Sequence, residues 1–335
     1  MSTLVDQQET PSAHLGDLDF SDLYWEPSGE AWFKRYSHDP QRHEVDGALL
    51  DEVKRLVDQT KKVGKPDFRL PHAGRSLRGR VLPVLSGDVV VLRRLMLASE
   101  VPDFASLYPA KLVDGLMSAD LASGGLVLFT GPTGSGKTVS AVSMVMARLL
   151  RFGGVGTSIE NPIEIDFEGR YRSGDSVCGT MYQTEVDDDL AFGPQIQARS
   201  RVAPNVLFIG EIRTAAAMGQ ALIAAMSGVL VIATFHAQAV VSGIERIRAM
   251  VKDAGYDAGL FSNGIAAIVH QTMVRTELPG GVVKRTLTLS PLIVRGALDG
   301  KGVQGQLMQD DLRPLESIID RQRRAMINPS MEVPL

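Results

Sequence analysis

The chain has 335 residues, enough for two domains with a sizeable core. Its 35 Lys plus Arg against 39 Asp plus Glu give a formal net charge of -4, which argues against a surface built to neutralise nucleic-acid phosphate. With 44% apolar and 22% charged residues it reads as an ordered globular protein, and its one cysteine, Cys178, excludes an intrachain disulfide framework or a Cys-rich zinc site and points to a reducing compartment. The opening MSTLVDQQET lacks the basic and then apolar pattern of a secretory signal.

After a polar, loose first fifteen or so residues, strand signals run through LDFSDLYWEP and GEAWFKRYS, joined by a turn at Pro27-Ser28-Gly29. Leu49, Leu50, Val53, Leu56 and Val57 recur at helical spacing and predict a helix over 45–63. Strand candidates around 78–82 and 88–92 flank a turn at Ser86-Gly87 and complete a small α+β unit, residues 1–100, with a linker at 101–105. From 106 to 335 short apolar runs alternate with helical patterns: strand 126–130, helix from Thr138 to about Phe152, and strands at 155–160, 206–210 and 230–234. That rhythm predicts an α/β fold with a parallel sheet covered on both faces. The 22 uncharged residues from Thr214 to Phe235 could span a bilayer by length, but Met226-Ser227-Gly228 divides an Ala-rich helix from a β-branched strand and argues against that.

Gly131-Pro132-Thr133-Gly134-Ser135-Gly136-Lys137-Thr138 fits G-x-x-x-x-G-K-[ST], after a strand and opening a helix. The glycines let backbone N–H groups converge on an anion at a helix N-terminus. In this geometry Lys137 would reach the β- and γ-phosphates of ATP and the Thr138 hydroxyl would ligate Mg2+. A second apolar strand, Val206 to Gly210, ends in Glu211, placed to hold a water against the γ-phosphate. Glu160 reads as a strand-end charge, Glu185-Val-Asp187-Asp188-Asp189 as a solvated loop, and Cys178 as an inert thiol with no neighbouring His or Lys.

These residues resemble the type II and type IV secretion and pilus "traffic" ATPases, the PilT, GspE and DotB group. Beside GPTGSGKT, Ser158-Ile-Glu160-Asn161-Pro162-Ile163-Glu164 is similar to the family's TIEDPIE box, Gly210-Glu211-Ile212-Arg213-Thr214 to GEIRD, and Thr234-Phe235-His236-Ala237 to its histidine box. Ser21-Asp22-Leu23-Tyr24-Trp25-Glu26-Pro27 resembles the start of the family's first domain, and Val269-His270-Gln271 a later helix.

The resemblance implies a RecA-like P-loop core preceded by a small PAS-like α+β domain. It makes Glu211 the general base or water-positioning residue, Glu164 a second acid near magnesium and water, and His236 a γ-phosphate sensor. Arg78 and Arg93, with Arg80 or Arg94 as substitutes, would act on phosphate at a subunit interface. It further implies a ring, in all expectation a hexamer, cytoplasmic and peripheral at the inner membrane, driving a membrane platform partner without direct nucleic-acid contact. Asn161 and Thr214 each stand where the family carries Asp, and the CxxC pairs of GspE-type enzymes are absent, which places the chain nearer the PilT and DotB branch without zinc. Two other readings compete: an ATP-binding ring scaffold with negligible hydrolysis, and a P-loop motor acting on DNA.

Overall fold

A computed structural model describes residues 14–18, 20–36, 39–64, 66–278, 282–297 and 300–327; the loose opening expected from the sequence lies mostly outside them. The chain divides into two compact units, 1–97 and 98–335.

In the first unit, β1 (Asp22–Trp25), β2 (Ala31–Lys34), β3 (His43–Val45), α1 (Gly47–Val63), β4 (Asp67–His72), β5 (Arg75–Val84), β6 (Gly87–Arg94) and a short β7 (Met96–Leu97) follow in order. The first six strands form one antiparallel sheet ordered β3-β2-β1-β6-β5-β4. Helix α1 buries Val53, Leu56 and Val57, the positions its period selects, with Leu23, Phe33, Phe68, Leu77 and Leu92 of the sheet. Strands β3 and β4 were not expected. β4 carries Pro71, which would break a central strand; it is tolerated because β4 is the sheet's edge.

The second unit opens with α2 (Phe104–Leu107) and α3 (Ala110–Leu116). Residues expected as a linker belong to it: Ser143 Oγ donates to the Pro102 carbonyl at 2.7 Å, and Phe104 is buried. There follow β8 (Gly125–Gly131), α4 (Lys137–Phe152), β9 (Gly154–Ile159), β10 (Ile165–Asp166), β11 (Gly169–Ser173), β12 (Ser176–Tyr182), α5 (Phe192–Ser200), β13 (Val206–Ile209), α6 (Ala215–Met226) and β14 (Leu230–His236). The chain continues through α7 (Val240–Asp253), α8 (Ala258–Gly264), β15 (Ile265–Leu278), β16 (Val282–Ile293), α9 (Gly300–Leu307) and α10 (Pro314–Ile327).

The large sheet runs β11-β12-β9-β13-β14-β8-β15-β16. Its centre is parallel, as the sequence predicts, and antiparallel pairs β11-β12 and β15-β16 close both edges, which it does not. Strands β8 and β13 are buried along their whole length, which is why they read as unbroken apolar runs. Leu126 and Leu128 of β8 join the core made with α6 and α7, while Val127 and Phe129, of opposite parity, face the other side of the sheet, where α4 packs.

Two local expectations meet different outcomes. The uncharged run from Thr214 resolves into α6, a turn at Ser227-Gly228 and β14, and among the described residues no helix is long and apolar enough to cross a membrane. Val269-His270-Gln271, expected in a helix, lie in β15, paired parallel with β8; a short buried apolar run such as Ile265–Val269 fits either element by periodicity, and here strand pairing wins.

Candidate functional site

The glycine-rich loop lies where β8 ends and α4 begins. Gly131 closes the strand at φ 147°, and a side chain there would run into the Gln271 carbonyl; Gly136, at φ 83°, turns the chain into α4. Helix α4 carries no acidic residue in its first turn, so the positive end of its dipole stays open to an anion. Lys137 Nζ donates to the Pro132 carbonyl at 2.9 Å. Burial lowers the pKa of Lys137, opposed by the charges of Glu211 and Glu164.

The loop rests on a buried polar brace. Gln271, wholly buried in β15, accepts from the Tyr108 hydroxyl at 2.8 Å and donates from Nε2 to the Ser135 carbonyl at 2.7 Å. Thr130, the residue before Gly131, meets His270 Nδ1 at 3.1 Å. A brace of this kind fixes the loop from below while leaving its upper face clear.

That face opens onto a cavity of about 440 Å³. Four stretches of chain converge on it: Thr133 to Val139 of the loop and helix, Glu160 to Glu164, Gly210 to Arg213, and Thr234. Parallel pairing causes the convergence, because β8, β9, β13 and β14 all deliver their C-terminal ends to the same edge of the sheet. Glu160 is no solvated strand end: it is 1% exposed, with Ser158 Oγ at 2.6 Å and Gln183 Nε2 at 2.9 Å on its Oε1. The structure therefore adds a carboxylate that strand-end reasoning discounts.

Glu211 receives the Arg213 guanidinium on Oε2 at 2.7 Å, and Arg213 Nη1 reaches both oxygens of Asp189 at 3.2 and 3.3 Å. Burial opposes the charge on Arg213, and these two carboxylates more than offset it, raising its pKa. Asn161, which stands in place of an expected Asp, donates to Asp189 at 3.2 Å. Thr214, the other departure, caps α6 by accepting from Ala217 N at 3.2 Å. The acidic run is thus only partly a solvated loop, since Asp189 and Glu185, which accepts from Ile163 N at 3.0 Å, are tied to the cavity wall.

Other expected site residues fall elsewhere. His236 ends β14 opposite Gly131 in register but is not among the described residues lining the cavity. Arg78 and Arg93 sit in the first unit, directly opposite each other on β5 and β6, and Arg93 Nε donates to Asp22 at 2.7 Å. The pleat puts Arg80 on their face and Arg94 on the other, with Leu92, so the two substitutes are not equivalent. Cys178 donates to the Tyr171 carbonyl at 3.2 Å.

The profile of the family described as "Type II/IV secretion system protein" matches residues 20–288. The chain is 30% identical over 277 residues to the "Protein transport protein HofB homolog" of Escherichia coli (strain K12), covering 77% of this chain and 56% of that protein. It is 29% identical over 303 residues to the "Type II secretion system protein E" of Klebsiella pneumoniae, covering 82% and 57%. It is also 28% identical over 316 residues to the "Type IV pilus assembly ATPase PilB" of Thermus thermophilus, covering 85% and 33%. The chain therefore spans about half the length of the first two relatives and a third of the last.

Two solved structures share its fold. The pilus retraction motor PilT, solved with bound ADP, superposes with a TM-score of 0.69 at 24% identity, covering 91% of this chain and 87% of that one. The ATPase DotB of Legionella pneumophila gives 0.64 at 19%, covering 92% and 84%. With a RecA-like core, the four motifs in order around one cavity and a family profile matched over most of its length, the chain belongs to the type II/IV secretion system protein family.

Proposed function

We propose that the chain is an Mg2+-dependent ATP hydrolase, working as a ring of identical copies, that drives protein secretion, conjugative transfer or pilus dynamics. The observation that carries this reading is the convergence of the phosphate loop, the acidic box and the Glu211 strand on one cavity. Its size and polarity suit a nucleotide triphosphate at a helix N-terminus.

In this reading the loop backbone and Lys137 hold the β- and γ-phosphates, and Glu211 orients the attacking water and takes its proton. The oxygen donors present fit magnesium, a hard cation that usually takes one or two protein oxygens beside substrate phosphates and water: the Thr138 hydroxyl and the Glu164 carboxylate both line the cavity. When bound, the ion would neutralise charge on the phosphates held there. Glu160 supports the same wall from a buried position. Arg78 and Arg93 present guanidinium groups to the phosphates of a neighbouring copy, and His236 reports the γ-phosphate from the end of β14. The protein acts in the cytoplasm, on a partner in the inner membrane, without direct contact with nucleic acid.

Steady-state ATP turnover of the purified chain with magnesium tests the chemistry, beside Glu211→Gln. Turnover in the parent and its loss in the variant are expected; equal rates would remove Glu211 from its role. Mass in solution with ATP and magnesium tests the ring, where a strict monomer at high concentration would overturn it.

A further inference from the structure

Arg213 is held at both ends. Its Nε and Nη2 meet Glu211 Oε2 at 2.7 Å, and its Nη1 meets Asp189 at 3.2 and 3.3 Å. Asp189 in turn accepts from Asn161 Nδ2 at 3.2 Å, and the neighbouring Asp188 caps the turn that carries it by accepting from Leu190 N at 2.9 Å. The chain Asn161–Asp189–Arg213–Glu211 joins three segments remote in sequence, and three of its four members line the nucleotide cavity.

Stability is a poor account of this cluster. The side chains of Glu211, Asp189 and Arg213 are 29%, 35% and 46% exposed, and ion pairs so open to water contribute little to the fold. Geometry offers a better account. A guanidinium bound only to Glu211 would swing with that carboxylate, whereas one anchored on Asp189 is a fixed strut. Both Arg213 contacts to Glu211 fall on Oε2, so Arg213 does not occupy Oε1.

We propose that Asp189 is a positioning residue for hydrolysis: through Arg213 it fixes where the Glu211 carboxylate stands relative to the phosphate loop, and Asn161 fixes Asp189. The proposal rests on the hydrolase reading above and assigns that site a residue outside its motifs. Asp189 makes no contact with the nucleotide in this account, so its removal acts on the chemical step and leaves ground-state binding in place.

The test is steady-state ATP turnover of the full chain with magnesium for Asp189→Asn, Asp189→Ala, Arg213→Ala and the double variant Asp189→Ala/Arg213→Ala, with melting temperature as the check on folding. Asp189→Asn is expected to lower kcat about tenfold at a KM for ATP within about twofold of the parent. In the Arg213→Ala background the same loss should shrink below about twofold, because the strut is already gone. Asp189→Glu should recover part of the rate. Parent-like kcat in both Asp189 variants, a loss carried by KM, or an undiminished loss in the Arg213→Ala background each overturns the proposal. A parent chain without turnover overturns the hydrolase reading and this inference together, whereas an active parent indifferent to Asp189 overturns the inference alone.

Discussion

The floor of the cavity and its rim are built by different means. The floor is backbone: eight contiguous residues whose conformation is set by glycines and underpinned by Gln271, Tyr108 and His270, all of them buried. The rim is side chain: Glu164, Glu211 and Arg213, with Asp189 behind Arg213, come from three separate segments, and the last three side chains are 29% to 46% exposed. A floor of this kind suits an anion at the N-terminus of α4, because its backbone is already braced. A rim of half-exposed charges keeps its aim only through contacts among its own side chains, here Arg213 with Glu211 and Asp189.

The largest expected effect falls on the floor. Lys137→Ala removes the one side-chain cation of the loop, and both nucleotide affinity and turnover should drop, turnover by roughly a hundredfold or more. Equilibrium binding of a fluorescent ATP analogue beside turnover measures the two. Glu211→Gln should cost a comparable factor in turnover, about a hundredfold, with nucleotide affinity kept within about threefold. If Glu211→Gln weakened binding as much as Lys137→Ala does, floor and rim would not be separable.

A smaller effect probes what lies under the floor. Tyr108→Phe deletes the hydroxyl that donates to Gln271 and leaves a buried acceptor unmet, which costs about 1–3 kcal/mol. Urea unfolding should show that loss, accompanied by a modest weakening of nucleotide binding and no specific change in kcat. Unchanged stability would mean that the brace carries no load.

The same division explains how much could be read from the sequence. The loop and the helix after it are local, so GPTGSGKT announced both, and the break at Met226-Ser227-Gly228 separated α6 from β14 for the same reason. The brace is not local. Gln271 meets Ser135 across 136 positions and Tyr108 across 163, and no spacing rule reaches so far. Glu160 looked like a strand-end charge because burial of a carboxylate depends on donors elsewhere, here Ser158 and Gln183. Asp189 sat in an acidic run of the sort that is usually solvated, and only the fold brings it to Arg213. Strand β4 was hidden by Pro71, whose tolerance at an edge is known only once the sheet order is known.

The smallest expected effect is a pH dependence that belongs to the floor alone. His270 is buried beside Thr130, and burial first, then the Lys137 cation, hold its pKa below the ordinary 6.5. The folded chain therefore keeps the imidazole neutral at a pH where the unfolded chain already takes up a proton. Between the two pKa values the unfolded state binds more protons, so stability rises with pH in that window. Stability present above about pH 6.5 is lost as the pH falls through the folded value. Melting temperatures of the parent and His270→Gln, taken from pH 8 down to 5, should show a steeper decline in the parent, and the difference between the slopes cancels the contribution of the other histidines. Parallel curves would mean that His270 titrates alike folded and unfolded, and the floor would then lose its one built-in sensitivity to acid.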